Sequence, residues 1–355
     1  MSMNGQSPTE LPPIELRVAW MPLIDCAPLV AASRLGLDRA QGLRLKLERQ
    51  ASWAAVRDRL LSGEVDAAHL PASMIHAIEL GIAGPAAPMA WLMTLNQNGQ
   101  AITLGTALAD ALQAGEPLPA VLARLPRTAL LAQTFPTGTH ALWLYYWLAA
   151  RGVDPMRDIA ALSIPPPQMP AALAEGRIDG YCSGEPWAAV AQAQGHGRVV
   201  IRSGALWPGH PEKALACRRD LAALQPERVE RLVACVLAAC RWLDEDPAHR
   251  RQCAGWLAED GLIGAPAQRL AACLADDPAD PQALAFHRGG AVNFPWLSDG
   301  AWFVRQFVRW GWCAEGAIDA ARLRDIHRLD SYRRAAAAIG VEVPAADTRD
   351  SRPKL

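Results

Sequence analysis

The sequence predicts an α/β protein built as two similar lobes. Strand-like and helix-like segments alternate along residues 14–205. The phrase Gly-Glu-Val-Asp-Ala-Ala-His at 63–69 returns at 176–182 as Gly-Arg-Ile-Asp-Gly-Tyr-Cys, in each case a helix stop, an acidic turn and a buried strand. The chain has 355 residues, 51% of them hydrophobic, which is enough for two cores.

The elements follow in order. Residues 16–20 form a short apolar run that ends at Met21-Pro22, and a helical stretch 28–35 stops at Gly36. Residues 43–47 alternate apolar and polar, as a half-buried strand does. Ser52 caps a helix whose stripe is Trp53, Val56, Leu60 and Leu61. A strand follows Gly63, and the apolar run 89–95 leads into Asn98-Gly99-Gln100. A second cycle opens with a strand at 130–132, the turn 135–140 and a strongly apolar helix 141–150. Strands at 160–164, 178–182 and 198–202 and a helix at 169–174 complete it. From Leu221 the chain reads as mainly helical, with Arg228, Arg231 and Arg241 on a solvated face of 226–243 and a tryptophan-rich stretch at 295–312. The expected division is a flexible N-terminus 1–13, lobe 1 over 14–106, an inserted lobe 2 over 107–205, and a return to lobe 1 with a helical region over 206–343. A disordered tail over 344–355 closes the chain.

Charge and motifs exclude several functions. With 35 basic and 36 acidic residues the net charge is -1, so no general field attracts nucleic acid or membrane. The N-terminus carries no basic and apolar leader pattern and no later run is long enough to span a bilayer, which predicts a cytoplasmic protein. The eight cysteines form no C-x-x-C pair and read as small buried residues, with no metal site. No G-x-S-x-G, P-loop or H-E-x-x-H occurs, and Asp276-Asp277 reads as a solvated pair, so no catalytic residue and no cofactor is assigned.

Anion binding fits better. Loops holding Asp25, Trp53, Gln100 and His140 lie at strand ends, where open α/β sheets place their ligands. Trp53 offers an indole N–H, Gln100 amide donors, and His140 one or two ring donors at a helix start. Lys213 is one of three lysines among many arginines, beside the Ser183-Gly184-Glu185-Pro186-Trp187 turn, and supplies a compact cation.

These phrases resemble the nitrate- and bicarbonate-binding proteins of ABC uptake systems and their cytoplasmic nitrate-sensing relatives. The likeness runs through Pro22 to Val30, Ala51-Ser52-Trp53 with Arg57-Asp58, Asp66 to His69, Asn98 to Thr103, Phe135 to His140 and Pro165 to Met169. It continues with Gly184-Glu185-Pro186-Trp187, His210 to Leu215, Asn293-Phe294-Pro295 and Trp302-Phe303, and so covers about residues 14 to 330. The resemblance implies a type II periplasmic-binding-protein fold that closes on its ligand by a hinge. It also implies a pocket of Trp53, Gln100, His140, the Ser183-Gly184 backbone and Lys213, with serine at 183 where relatives carry valine.

Nitrate and nitrite accept hydrogen bonds and donate none, which suits this donor set. Bicarbonate needs an acceptor, and the resemblance implies an acidic group there in that branch. With no leader in view, the resemblance implies a cytoplasmic nitrate/nitrite sensor that holds an ANTAR-type RNA-binding antiterminator until ligand releases it. The substrate-binding component of a nitrate uptake system is the alternative. A thiamine-pyrimidine-synthase-like enzyme is a remote one, which the dispersed cysteines disfavour.

Overall fold

The structure, a computed structural model, describes residues 12–275, 277–351 and 353. In chain order the strands are β1 (Ile14–Trp20), β2 (Leu43–Arg49), β3 (Ala67–Pro71), β4 (Met89–Gln97), β5 (Gln100–Gly105), β6 (Ala129–Gln133), β7 (Ile159–Ser163), β8 (Gly180–Gly184), β9 (Gly197–Arg202) and β10 (Pro211–Arg218). They form two five-stranded sheets, ordered β2-β1-β3-β10-β4 and β7-β6-β8-β5-β9. β1 lies parallel to β2 and β3, and β6 lies parallel to β7 and β8. The fourth position of each sheet is an antiparallel strand, β10 or β5.

The repeated phrase marks equivalent places. Its two copies lead into β3 and β8, the third strands of their sheets. His69 and Cys182 end the copies and are both fully buried.

The sequence reading placed residues 14–106 together, but β5 belongs to the second sheet, so the first crossing falls at Asn98-Gly99. The partners of β5 are β8 and β9, far downstream, and no local periodicity reveals them. The crossing needs Gly99: its φ is +87°, and a Cβ there would lie 2.8 Å from Leu284 Cδ1. Asn98 ties the outgoing and returning segments together. Its Oδ1 accepts from Gly209 N–H at 3.1 Å, and its own N–H donates to the His210 carbonyl at 3.2 Å.

Helices pack on both sheets. Ser52 caps the helix Trp53–Ser62, its hydroxyl accepting from Ala55 N–H, as the sequence indicates. The long helix Pro226–Glu245 buries Val229, Leu232, Val236, Leu237 and Cys240 against the first lobe. Arg231 on its other face is exposed, whereas Arg228 turns in to the Glu15 carbonyl and half-buried Arg241 donates to the Ile339 carbonyl. Cys26, Cys182, Cys217, Cys235, Cys240 and Cys253 are buried, and Cys273 and Cys313 are half-buried.

Over residues 344–351 the terminal segment is not the disordered tail its polar composition suggested, and residues 352, 354 and 355 of that expected tail lie outside the described residues. The Asp347 carboxylate accepts from Arg324 at 2.6 Å and Arg333 at 2.7 Å. Arg349 reaches buried Asp299 at 2.7 Å and the Gly209 carbonyl at 3.0 Å, and Trp207 Nε1 donates to Ser351. These partners are remote in sequence, which is why composition misleads. Of the flexible stretch expected at 1–13, residues 1–11 lie outside the described residues, as does Asp276.

Candidate functional site

The C-terminal ends of β1, β3, β6 and β8 converge between the lobes, together with the start of β10. Lys213 stands on β10, a central strand rather than a loop, and is completely buried. Side chains on a regular strand alternate faces. Here the β4–β10 register slips between Pro211 and Lys213 and again between Lys213 and Ala214. The bulge turns Glu212 and Lys213 into one cluster.

Lys213 Nζ lies 2.8 Å from Glu212 Oε1 and 3.0 Å from Asp25 Oδ2. It is also 3.5 Å from His140 Nε2 and stands 5.7 Å from the centre of the Trp53 ring. An ammonium has three donors, and all three are directed at protein acceptors. Asp25 sits in the turn after β1, and its Oδ1 accepts from His69 Nε2 at 2.8 Å. Glu212 receives Trp143 Nε1 at 2.8 Å and the Thr139 hydroxyl. His140 opens the helix Thr139–Ala150, with Nδ1 2.7 Å from Thr134 Oγ1.

Electrostatics sort these groups. Burial opposes ionisation of Asp25, but the Lys213 ammonium and the His69 bond hold its carboxyl well below the usual range. Burial pushes Glu212 up, with Lys213, Thr139 and Trp143 opposing. Burial works against the charge on Lys213, yet the two carboxylates raise it above its ordinary value. Burial, then Lys213, holds His140 well below the usual imidazole range. His140 is therefore held neutral, with Nδ1 against Thr134 and Nε2 facing Lys213.

The structure brings the sequence-derived residues together. Trp53 and His140 flank Lys213. Gln100 faces Gly184 so closely that a Cβ on the glycine would lie 2.9 Å from Gln100 Oε1 and 3.4 Å from Asp25 Oδ2. Ser183 is buried beside it, its hydroxyl turned to the Gly184 carbonyl at 3.4 Å. Trp53 Nε1 and both amide atoms of Gln100 are buried with no partner in the protein. Such groups cost free energy unless something else satisfies them.

Sequence reasoning placed the Asp25 loop at the ligand end of the sheet without giving Asp25 a part in the pocket, and it missed Glu212, His69, Thr139 and Trp143 as members of this cluster. Asp25, His69, Thr139 and Glu212 stood inside the phrases that carried the resemblance, and Trp143 lay in the strongly apolar helix 141–150.

Both lobes contribute and are closed over the site. Ser73 Oγ donates to the Thr137 carbonyl at 2.7 Å, Ile24 N–H to Glu185 at 3.1 Å and Trp187 Nε1 to Pro22 at 3.2 Å, each bond crossing between lobes. Trp53, His140, Ser183 and Lys213 have no solvent exposure, so a ligand enters only when the lobes part. Among the described residues no group of His, Cys, Asp and Glu is arranged to hold a metal ion.

Two α/β lobes closed on a buried polar cluster define a two-lobed ligand-binding protein. Residues 9–258 match the model of the NMT1-like family. The nitrate/nitrite binding protein NrtA of Synechococcus elongatus is 34% identical, over 98% of this chain and 83% of that protein. The nitrate import ATP-binding protein NrtC of Synechocystis is 35% identical over 84% of this chain, which spans only 46% of that protein. The crystal structure of the periplasmic nitrate-binding protein NrtA from Synechocystis superposes with a TM-score of 0.88 at 28% identity, covering 96% of this chain and 94% of that one. The alkanesulfonate-binding protein SsuA from Xanthomonas axonopodis, with a TM-score of 0.65 at 18% identity, shares the fold. The chain belongs to the NMT1-like family, in its NrtA-like branch of substrate-binding proteins, and has the type II periplasmic-binding-protein fold. The two NrtA relatives that it matches over most of their length are named as binding proteins.

Proposed function

We propose that this chain binds nitrate or nitrite between its lobes as the substrate-binding component of an ABC uptake system. One observation carries the reading: Trp53 Nε1 and Gln100 Nε2, buried donors without partners, stand in the cluster centred on Lys213. A small planar anion that only accepts hydrogen bonds suits such donors. The Ser183-Gly184 backbone completes the proposed pocket, with the serine hydroxyl available to tune selectivity. The nitrate-binding and import roles of the relatives support the ligand and favour uptake.

The finer reading, a cytoplasmic sensor releasing an ANTAR-type antiterminator, shares the ligand but has no support among these relatives. Among the described residues no helix is long and apolar enough to cross a membrane, which fits either reading.

Isothermal titration of dialysed protein with nitrate, nitrite and bicarbonate tests the ligand. Binding of nitrate or nitrite, weakened about tenfold in Trp53→Phe and in Gln100→Ala, is the expected outcome, since each variant deletes one buried hydrogen bond to the anion. No heat and no rise in melting temperature with any of the three anions would refute it. Co-elution with an antiterminator, abolished by nitrate, would favour the sensor instead.

A further inference from the structure

We propose that Glu212 takes up a proton when a donor-less anion such as nitrate occupies the site. The inference rests on the anion reading above and deepens it. Lys213 cannot simply be handed to a ligand. Its three N–H groups are directed at Glu212 Oε1, Asp25 Oδ2 and His140 Nε2 at 2.8, 3.0 and 3.5 Å. With both carboxylates ionised, one cation already faces two anions in a space sealed from water. A third negative charge there would be uncompensated, and a buried unpaired charge is costly. A proton from solvent, taken up as the lobes close, removes the conflict.

Geometry singles out Glu212 as the carrier. Its Oε1 is 2.8 Å from Lys213 and 3.7 Å from His140 Nε2, and its Oε2 is 3.7 Å from His210 Nδ1. The other titratable or charged groups facing this cluster are Asp25 after β1, His69 on β3 and Cys182 on β8, while Arg349 of the terminal segment acts on His210. Asp25 stays ionised, because Lys213 and His69 together outweigh its burial. His140 and His210 are kept neutral, by burial first and then, for His140, by the ammonium. Burial favours the acid form of both carboxyls, and Glu212 is the one whose donors, Lys213, Thr139 and Trp143, do not outweigh it. Once protonated it releases one Lys213 N–H to the anion and becomes a donor itself. The charge of the closed complex then matches that of the cluster before binding.

The test is nitrate titration calorimetry of the full chain at pH 8 in PIPES, Tris and imidazole, whose ionisation enthalpies differ. The expected result is uptake of about one proton per nitrate, with affinity falling roughly tenfold per pH unit on the alkaline side. Glu212→Gln is expected to lose both the uptake and the pH dependence. Nitrate binding whose heat is the same in all three buffers would overturn the inference and leave the anion site standing. Uptake that persists in Glu212→Gln would overturn the assignment to Glu212. No binding would overturn the nitrate reading and this inference with it. The wild-type buffer series decides the main point even if the variant fails to fold.

Discussion

Glu212 and Lys213 are consecutive on one strand, yet their charged ends meet at 2.8 Å on the same side of it. The β10 bulge makes this possible and places a lysine between two buried carboxylates. The lysine therefore holds the cluster together. Lys213→Met is expected to destabilise the protein by roughly 3–5 kcal/mol, because Asp25 and Glu212 lose their cation. Adding Glu212→Gln should recover part of that loss. Urea denaturation of the single and double variants checks it. A Lys213→Met midpoint equal to wild type would mean the cluster is not buried as described.

Gly184 sets how closely the lobes meet. A methyl group there would crowd Gln100 Oε1 at 2.9 Å, Leu23 at 3.3 Å and Asp25 Oδ2 at 3.4 Å. Gly184→Ala should weaken anion binding tenfold or more while changing stability much less, because the crowding is relieved by opening the cleft. Calorimetry beside thermal melting separates the two effects.

Several histidines are buried in neutral form, which sets the acid side of the stability profile. Burial lowers His210 from 6.5 to about 3 and His327 from 6.5 to about 4. Between those values and 6.5 the unfolded chain binds protons that the folded chain does not. Stability is therefore full above pH 6.5 and falls as pH drops through that window. Between pH 6.5 and 5 each of these histidines should remove on the order of 2 kcal/mol. Asp25, held low in the fold, adds a loss only at more acidic pH. Denaturation midpoints at pH 7, 6 and 5 test the order. A flat profile would contradict it.

The terminal segment braces the return crossing between lobes. Arg349 joins buried Asp299 to the Gly209 carbonyl, and Gly209 N–H is held in turn by Asn98. Arg349→Ala should cost on the order of 2–3 kcal/mol by leaving Asp299 buried and unpaired, and Asp299→Asn should cost less. Thermal melts of both variants check the ranking.

Much of the strand order was legible because Pro and Gly punctuate it: Met21-Pro22, Gly63, Gly176 and Pro165 stand close to element ends. The repeat at 63–69 and 176–182 pointed to equivalent strands. The sheet membership of β5 was not legible, since its partners are non-local. The six residues taken from the motifs gather in one place, and Trp53 and Gln100 could be read from loop position and donor chemistry. Glu212 could not. Strand alternation puts neighbours of Lys213 on the far face, and only the bulge reverses that. The polar terminal segment misled for a related reason, because its partners Asp299, Arg324 and Arg333 come together only in the folded chain.

A crystal structure of the protein grown with nitrate tests the central claim most directly. The expected result is nitrate between the lobes, its oxygens about 3 Å from Trp53 Nε1, Gln100 Nε2 and Lys213 Nζ. Nitrate found elsewhere, or these donors still facing only protein in a nitrate-saturated crystal, would contradict the assignment of this cluster as the anion site.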